Sequence, residues 1–495
     1  MKKRGKDYYF AVIDAGKTNK KVSIYSKNLK LITKDSTQIG EIKIDGILCD
    51  DIPEMNSWIL RKLKEFAPDY SIKAISATTF GATVVLLDKS GEMCLPVISY
   101  MNPVGKNTVN KFLKSHGSKL DLYLKTGTPL FGQSLNIAIQ LFWLKDKKRQ
   151  EFNRIKDILF LPQYIGYVLT GKKSVELTSI GCHTFLYDFK KKGWSSVAKE
   201  MKVIGKIPSK VSKPWDVAGT IKAQLRWATG LDKDCQVAVG IHDSNSSLLP
   251  YLISYRGDFI LASTGTWGVF MYPGADYKLE EESLRKDVLY YIDPLGRPVK
   301  ASRFGCGMEH DHYSSLIEKH FGSDPKKIEL NINLLEDILD SCDCFVIPTL
   351  TPDTGQFPDS KPMIVGKDKF FRDIDTAYHV LCLSLAIQSY FAIKEIMDTG
   401  KNMPIFIEGG FSNNNIYTGI LSDLFQNCEV MSTELKEATS LGAAICAKCA
   451  YESISPSQLD PGLININERV IRKPDINRNL IDRYIESFVS YCKLN

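Results

Sequence analysis

The chain has 495 residues, of which 44% are hydrophobic and 24% charged, and its formal net charge is +7. This length exceeds what one hydrophobic core organises, so two or more domains are expected, and the composition is that of an ordinary globular protein. The lysines are scattered rather than gathered in one stripe. This argues against a nucleic-acid groove, while a weak positive bias suits an anionic substrate such as a nucleotide.

The first residues, Met-Lys-Lys-Arg-Gly-Lys, carry charge but lead into no apolar h-region, and no apolar stretch long enough to cross a bilayer is evident. We therefore expect a cytoplasmic protein whose twelve cysteines are reduced and mostly buried. Cys446 and Cys449 form a Cys-x-x-Cys pair in the middle of a predicted helix. Redox motifs of this kind lie at the start of a helix, so the position of this pair argues against a redox role.

The first predicted element is a β-hairpin. Residues 8–13 and 22–25 are apolar, and the turn between them reads Asp-Ala-Gly-Lys-Thr-Asn-Lys-Lys. Gly16-Lys17-Thr18 is not a Walker A loop, because that motif needs a glycine at position 11, where the chain has Ala11. The donor-rich turn can hold phosphates through its backbone N–H groups and side chains, or it is simply an exposed turn.

Two further strands are predicted around Gly81, over residues 73–76 and 84–88, and a glycine between strands suggests a close backbone approach or a bulge. Residues 129–144 and 159–169 have helical spacing. The small polar residues 178–185 are expected to form an inner loop.

Residues 237–241 are a continuous apolar run, which predicts a strand buried on both faces. His242, Asp243 and Ser244 follow at its carboxyl end, where open α/β sheets bind their ligands. Asp243 is placed to accept a proton from a substrate hydroxyl. The alternative is that Asp243 caps the helix that follows, since Asp is a common N-cap residue.

The second half repeats the scheme of the first hairpin over residues 258–270, with Thr264-Gly265-Thr266 at the turn. Two similar hairpins predict a duplicated fold with a cleft between the copies. Helices are expected over residues 378–397, 415–425 and 438–449, and a strand over residues 405–407. Beyond Pro456 the chain is polar and is expected to form a surface tail.

The order and spacing of four motifs resemble the FGGY family of carbohydrate kinases over residues 9–450. The resemblance is greatest to members that act on L-rhamnulose. The motifs are Asp14-Ala15-Gly16-Lys17-Thr18, Gly240-Ile241-His242-Asp243-Ser244, Ser263-Thr264-Gly265-Thr266-Trp267, and the pair Glu408-Gly409-Gly410-Phe411-Ser412-Asn413 with Glu437-Ala438-Thr439-Ser440-Leu441-Gly442.

The resemblance implies an α/β protein with two ribonuclease H-like domains of the actin, sugar kinase and heat-shock superfamily around a central cleft. The implied boundaries are a sugar-binding domain at residues 1–246, an ATP-binding domain at residues 247–455 and a C-terminal tail at residues 456–495. The implied activity is transfer of phosphate from ATP, with Mg²⁺, to the 1-hydroxyl of a ketose.

The resemblance also implies a role for particular residues. Asp243 is the general base, and Asp14 holds Mg²⁺ through water. The sugar contacts are Gly81, His242 and Ser244, with Thr79 and Phe80 beside them. The ATP contacts are Lys17, Thr18, Asn19, Lys20, Lys21, Thr266, Gly410 and Asn413.

Several positions depart from the family pattern. Thr78 and Thr83 stand where the L-rhamnulose enzymes have acidic residues, Phe80 replaces a Trp, and Glu408 replaces a glycine. Residues 304–313 match nothing in the family. Their Cys, Glu, Asp and His residues suggest either a metal site or, without a closing pair of ligands, a helix start or a wall of the cleft.

The acceptor is therefore left open among L-rhamnulose, L-fuculose, xylulose and a non-sugar alcohol such as glycerol. A catalytically silent sugar- or nucleotide-binding protein of the same fold is the alternative from another class. The expected partners are a small-molecule sugar and ATP, with no nucleic acid and no membrane, in a monomer or homodimer.

Overall fold

A computed structural model describes residues 7–132, 134–435 and 437–494. By compactness the chain divides into two units, each built from separate pieces of sequence. The first unit comprises Met1–Arg256, Tyr290–Pro298 and Lys436–Asn465, and the second comprises Gly257–Leu289, Val299–Leu435 and Ile466–Asn495.

The first unit is built on a mixed sheet whose central strand is Tyr9–Ala15. This strand is apolar and almost wholly buried, pairs antiparallel with Asn19–Ser26 and pairs parallel with Ile72–Thr79. Its register sets Asp14 opposite Lys21 on one side and Thr78 on the other. The sheet order is Val217–Thr220, Gln236–Ala238, Ile72–Thr79, Tyr9–Ala15, Asn19–Ser26 and Leu31–Gln38, with Ile241–His242 also paired to Ile72–Thr79.

Shorter strands and helices complete the first unit. The strands are Glu41–Ile44, Ile47–Asp50, Val84–Leu87, Asp157–Phe160, Val175–Glu176, Tyr187–Asp188, Gly193–Trp194 and Val211–Ser212. The α-helices are Ile52–Phe66, Lys106–His116, Lys119–Thr126, Ile137–Lys147, Arg149–Arg154, Leu161–Thr170, Leu177–Ile180, Ser196–Glu200, Ala223–Thr229, Asp243–Ser254 and Ala438–Glu452. The 3₁₀ turns are Ile204–Lys206, Pro456–Gln458 and Pro461–Leu463.

The second unit has its own sheet, in the order Pro298–Phe304, Gly268–Pro273, Ile260–Thr264, Ile405–Gly409, Val430–Thr433 and Glu468–Val470. The strands Phe345–Ile347 and Met363–Val365 form a separate two-stranded sheet, and the strand Val288–Ile292 crosses the division between the units at Leu289 and Tyr290. The helices are Glu281–Arg285, Cys306–Phe321, Ile332–Ser341, Lys367–Phe370, Ile374–Ile396, Asn415–Leu424 and Arg478–Leu494, with a 3₁₀ turn at Pro325–Lys327.

The helix Ile374–Ile396 is long and apolar enough to cross a bilayer by length and composition, which differs from the expectation that no such stretch exists. However, 89% of its most apolar window is buried. Its side chains form part of the hydrophobic core of the second unit, so its hydrophobicity is explained by packing.

The strand predicted over residues 237–241 is interrupted. Gln236–Ala238 ends before Gly240, which has a φ of +92°, and pairing resumes at Ile241–His242. A Cβ on Gly240 would lie 2.8 Å from the carbonyl oxygen of Ala77, so the break needs a glycine both for its conformation and for the close approach of the neighbouring strand.

The prediction of a polar surface tail beyond Pro456 is wrong for Arg478–Leu494. This helix is amphipathic, and Ile481, Tyr484, Phe488 and Cys492 are buried in the core of the second unit. Hydrophobic residues three or four positions apart lie on one helix face, which explains how a segment rich in charge still packs.

The helix Ala438–Glu452 belongs to the first unit although it lies far along the sequence. A Cβ on Gly442 would lie 1.8 Å from the carbonyl oxygen of Ser246, so this helix and Asp243–Ser254 approach closely through a glycine. The contiguous boundaries expected at residues 246 and 455 therefore remain a prediction about functional domains, whereas compactness divides the chain differently.

Candidate active site

Asp243 is the first residue of the helix Asp243–Ser254 and directly follows the strand Ile241–His242. Its carboxylate makes no side-chain cap for this helix, since the N-cap residue is His242. Oδ1 accepts hydrogen bonds from the backbone N–H of Ser244 at 2.6 Å and from its hydroxyl at 3.3 Å. The side chain is 32% exposed, so a carboxylate at the end of a buried strand stays accessible to a ligand.

The His242 ring is buried beside this carboxylate. Its Nε2 lies 3.2 Å from Asp243 Oδ1 and 3.5 Å from Cys182 Sγ, while its Nδ1 lies 3.3 Å from the amide nitrogen of Asn245. Burial lowers the pKa of His242, opposed by the charge of Asp243, which favours the neutral ring. Because the amide nitrogen of Asn245 can only donate, it leaves the ring proton on Nε2, which points towards Asp243.

The predicted sugar contacts lie around the same ring. A Cβ on Gly81 would lie 2.8 Å from His242 Nε2, so only glycine allows the ring to lie against this backbone. Phe80 is 6% exposed and packs edge-on against Tyr100 at 5.8 Å. The buried Thr79 hydroxyl donates to the carbonyl of Phe80, and this bond fixes the turn.

Asp14 is 6% exposed, and its Oδ2 accepts a 2.8 Å hydrogen bond from the Ser440 hydroxyl. Burial raises the pKa of Asp14, Lys21 and Ser440 lower it, and the nearby charge of Asp243 raises it again. The two carboxylates are therefore close enough for their charges to interact. One or two carboxylates in a polar site suit Mg²⁺, which keeps much of its water shell and binds phosphate oxygens, so this donor set fits the ion.

Lys21 lies between two acidic residues. Its Nζ is 2.7 Å from Glu437 Oε2 and 3.7 Å from Asp14 Oδ2, and the side chain is 29% exposed. Glu437 has a φ of +62° at the N-cap of the helix Ala438–Glu452 and also pairs with Lys34. The side chain of Lys21 is thus partly exposed, and its ammonium lies near the Asp14 carboxylate.

The other predicted phosphate contacts divide into two groups. Thr18 and Asn19 are exposed at the tip of the hairpin. Lys20 is 5% exposed and donates to the carbonyl oxygens of Gly16, Lys17 and Ile39, so its ammonium holds the turn together. The ammonium of Lys17 is directed at Glu41, Asp50 and Ser99, which lie elsewhere in the first unit.

The second unit contains a cavity of about 370 Å³ at the ends of its central strands. The Thr264 carbonyl accepts a 2.6 Å hydrogen bond from the N–H of Gly410, and the Thr264 hydroxyl accepts one from Phe411, so two loops are joined. The cavity is lined by Thr264, Gly265, Thr266, Gly307, His310, Asp311, Lys326, Tyr378, Gly410, Phe411, Asn413 and Asn414. Thr266, Gly410 and Asn413 were predicted to contact ATP, and all three line it.

Residues 304–313 form the end of a strand and the start of the helix Cys306–Phe321. A Cβ on Gly307 would lie 2.3 Å from the carbonyl oxygen of Gly265, so the helix start packs directly on the turn at Gly265. Across residues 7–132, 134–435 and 437–494, no group of three His, Cys, Asp or Glu side chains is placed to hold a metal ion. The helix-start alternative is observed, since a helix begins at Cys306, and Gly307, His310 and Asp311 also line the second-unit cavity.

His310 and Asp311 are cavity residues that the sequence reasoning missed. His310 Nε2 lies 3.1 Å from the Tyr378 hydroxyl, its ring packs edge-on against Phe411, and Asp311 pairs with Lys326. The signal available in the sequence was a helix start after a strand of the second sheet, because such positions collect ligand-binding residues.

Tyr291 is a second residue that sequence reasoning missed. Its hydroxyl is buried and has no hydrogen-bond partner among the described residues. Burial, followed by the charges of Cys182 and Asp243, raises its pKa, so the hydroxyl lies near the group predicted to act as the base.

Two family models together cover almost the whole chain. The N-terminal domain of the FGGY family of carbohydrate kinases matches residues 9–250, and the C-terminal domain of FGGY carbohydrate kinases matches residues 256–456. The chain belongs to the FGGY family of carbohydrate kinases. The family resemblance drawn from the four motifs is thereby confirmed, and this FGGY kinase is a sugar phosphotransferase. Enzymes of the family use ATP, typically with Mg²⁺.

The similar proteins are named as kinases of different sugars. The FGGY kinase is 23% identical over 477 residues to a rhamnulokinase of Oceanobacillus iheyensis, covering 90% of this chain and 94% of that one. It is 23% identical to an L-fuculokinase of Escherichia coli K12 over 267 residues, covering 52% of this chain and 55% of that one.

Solved structures match over the full length. A carbohydrate kinase of Novosphingobium aromaticivorans has a TM-score of 0.83 at 23% identity, covering 99% of both chains. A ligand-bound xylulose kinase of Lactobacillus acidophilus has a TM-score of 0.80 at 18% identity, covering 98% of this chain and 97% of that one. The predicted fold class is confirmed as a two-domain α/β kinase fold of ribonuclease H-like architecture.

Proposed function

We propose that this FGGY kinase transfers the γ-phosphoryl group of ATP to the 1-hydroxyl of a ketose. L-Rhamnulose is the first candidate, L-fuculose the second, and xylulose or another ketose a weaker one. The order follows the rhamnulokinase that is similar over most of both chains and the fuculokinase that is similar over about half of each. The sugar is assigned to residues 1–246 and ATP chiefly to residues 247–455.

The accessible carboxylate of Asp243 at the end of a buried strand carries this proposal. Asp243 accepts the proton of the sugar 1-hydroxyl as that oxygen attacks the γ-phosphorus. The bond from the γ-phosphorus to the bridging oxygen breaks, and ADP leaves with that oxygen. A positioned general base contributes ~10²–10⁴-fold to a rate, and the remainder of phosphoryl-transfer catalysis comes from orientation and charge stabilisation.

The neighbours of Asp243 orient it and the sugar. The Ser244 N–H holds Oδ1, and the Nε2–H of His242 points to the same oxygen, which leaves the second oxygen for the sugar proton. Gly81 keeps the His242 ring in place, and Ser244, Thr79 and Phe80 complete the proposed sugar contacts.

Mg²⁺ would be held by Asp14, through water. When bound, it neutralises charge on the phosphate oxygens of ATP. Burial raises the pKa of Asp14, while Lys21 and Ser440 oppose this and favour its charged form, which is the form that binds a cation. Thr18, Asn19 and Lys21 are proposed to contact phosphates, and Thr266, Gly410 and Asn413 to contact the nucleotide in the second-unit cavity.

The test is ADP release with a panel of ketoses and glycerol, in the presence of ATP and Mg²⁺. Turnover is expected with a ketose, and phosphorus NMR of the product is expected to locate the phosphate on O1. Thermal stabilisation by ATP and Mg²⁺ is measured in parallel. Stabilisation without ADP release on any panel member would support a silent nucleotide-binding protein instead. Release with glycerol alone would replace the ketose with a simple alcohol.

A further inference from the structure

Lys17 lies at the centre of a polar cluster in the first unit, defined here by Lys17, Glu41, Asp50 and Ser99. Its Nζ is 2.5 Å from Asp50 Oδ1, 2.7 Å from Glu41 Oε1 and 2.9 Å from Ser99 Oγ. An ammonium has three N–H donors, and these three partners use them all. Lys17 therefore has no donor left for a phosphate unless one of these bonds breaks.

The charges of this cluster are balanced when the neighbouring Lys20 is included. The Lys20 ammonium interacts electrostatically with Glu41 and Asp50, which gives two ammonium groups and two carboxylates in one place. A balanced group has little net attraction for an anion such as a phosphate or a sugar acid. Its carboxylate oxygens can instead accept hydrogen bonds from neutral hydroxyl groups.

The backbone holds the carboxylates of the cluster in position. Glu41 and Asp50 are opposite each other in the antiparallel pair Glu41–Ile44 and Ile47–Asp50. The N–H of Asp50 donates to the carbonyl of Val97, and the N–H of Ser99 donates to that of Leu48. Since strand pairing fixes these residues, their side chains are set in place before a ligand arrives.

Aromatic rings connect the cluster to the surroundings of Asp243. Lys17 Nζ lies 4.5 Å from the centre of the Tyr100 ring, and Tyr100 packs on Phe80, the residue before Gly81. Burial and then the charges of Asp243, Asp50 and Glu41 raise the pKa of Tyr100 to about 12. The Tyr100 hydroxyl is thus close enough to both the cluster and Asp243 to respond to their charges.

One oxygen of the cluster lacks a donor. Asp50 is 9% exposed, and its Oδ2 is buried with no hydrogen-bond partner among the described residues. A buried carboxylate oxygen without a donor is destabilising and is normally satisfied by a ligand or water. A sugar hydroxyl supplies a donor proton, whereas the ionised phosphates of ATP supply only acceptors.

We propose that Glu41 and Asp50, held in place by Lys17, form a subsite that accepts hydrogen bonds from hydroxyl groups of a neutral sugar, away from the hydroxyl that loses its proton to Asp243. Lys17 is thereby assigned to positioning the carboxylates of the sugar subsite and not to the phosphates of ATP. This inference rests on the proposed function for the identity of the ligand as a sugar, but its claim about ATP stands separately.

The test compares Asp50→Asn, Glu41→Gln and Lys17→Met with Lys27→Met, a control whose half-exposed ammonium pairs with Asp7 on the surface. Losing a hydrogen bond to a charged group predicts a rise of about tenfold or more in KM for the ketose in each cluster variant. The KM for ATP is expected to change less than about twofold, as for the control. A rise in the KM for ATP with an unchanged KM for the ketose would overturn the assignment.

Glu41→Gln keeps the test valid if another variant fails to fold, because Glu41 is the more exposed carboxylate of the pair and its replacement should disturb folding least. If the wild type releases no ADP with any sugar, the proposed function fails, and the subsite is then tested by binding. Titration of ATP and Mg²⁺ into Lys17→Met is expected to match the wild type. Stabilisation of the wild type by ketoses is expected to weaken in Asp50→Asn, and equal ketose binding by both proteins would contradict the subsite.

Discussion

The hydroxyl of Ser440 donates a hydrogen bond to the Asp14 carboxylate, at 2.8 Å, from a residue 426 positions later in the chain. Both residues are buried, and burial raises the pKa of Asp14, so the Lys21 ammonium and this bond favour the charged carboxylate against the effect of burial. The first turn of the helix Ala438–Glu452 thus supplies a hydrogen bond that favours the charged form of Asp14, near the end of the strand Tyr9–Ala15.

Ser440→Ala is expected to raise the pKa of Asp14 further, because it removes a bond that favours the charged form. A hydrogen bond to the ionised carboxylate favours ionisation, so its loss raises the pKa. The acid limb of the plot of kcat/KM against pH should move to higher pH. The Mg²⁺ concentration that gives half-maximal activity should also rise. Ser440→Thr, which keeps the hydroxyl, is the control, and an unmoved acid limb in Ser440→Ala would count against Asp14 as the Mg²⁺ residue.

Gly81→Ala is expected to displace the His242 ring, since the new Cβ would lie 2.8 Å from Nε2 and 3.6 Å from Cys182 Sγ. A misplaced group beside the reacting atoms lowers kcat/KM for the sugar by about 10- to 100-fold. Steady-state kinetics should show this with the KM for ATP unchanged. Gly205→Ala has open space around its Cβ and serves as the matched control. Equal sugar kinetics in the two variants would remove His242 from the sugar site.

The local architecture was predictable because it depends on neighbouring residues. The apolar runs around Asp14 and around Thr264 indicated two antiparallel hairpins, and both are present as Tyr9–Ala15 with Asn19–Ser26 and Ile260–Thr264 with Gly268–Pro273. The position of Asp243 directly after a strand was likewise readable from the pattern. Periodicity of side chains carries this information without any tertiary contact.

Gly410→Val is expected to fill the second-unit cavity without disturbing the fold. A Cβ on Gly410 would lie 3.7 Å from the Thr264 carbonyl, which is an ordinary contact, and the larger side chain would then project among the cavity residues. The KM for ATP should rise about tenfold or more, with Tm in the absence of ATP little changed. Gly410→Ala should have an intermediate effect. ATP kinetics like those of the wild type in Gly410→Val would place the nucleotide elsewhere.

Glu309→Gln is expected to change the pH dependence of stability. Burial raises the pKa of Glu309 to about 6 from an ordinary value of 4.5. The native state then binds more protons than the unfolded state between these values, so this residue's contribution to stability is present at low pH and is lost as pH rises through 6.

The variant should therefore gain about 2 kcal/mol relative to the wild type between about pH 3.5 and pH 8, a range that begins below the ordinary value of 4.5. Denaturant unfolding at the two pH values measures the change. Glu318→Gln on the exposed face of the same helix is the control and should show no such gain. A pH-independent difference between Glu309→Gln and the wild type would mean that Glu309 titrates normally.

The side-chain partners of the site were not predictable in the same way. Lys17 follows a strand in a donor-rich turn, which is typical of a phosphate ligand, yet its partners Asp50 and Ser99 lie 33 and 82 residues further on. Only the pairing of the strand Ile47–Asp50 with residues 97–99 brings them together.

The packing of the C-terminal helix was indicated by the sequence, because Ile481, Tyr484 and Phe488 recur at helical spacing within the charged segment.

The most direct measurement is ADP release by Asp243→Asn with the ketose that the wild type turns over best. The isosteric amide cannot accept the proton, so kcat/KM should fall ~10²–10⁴-fold while thermal stabilisation by ATP and Mg²⁺ is retained. Asp234→Asn, at an exposed position of the same unit, should match the wild type. Full activity of Asp243→Asn would contradict the role of Asp243 as the general base, and with it the proposed mechanism.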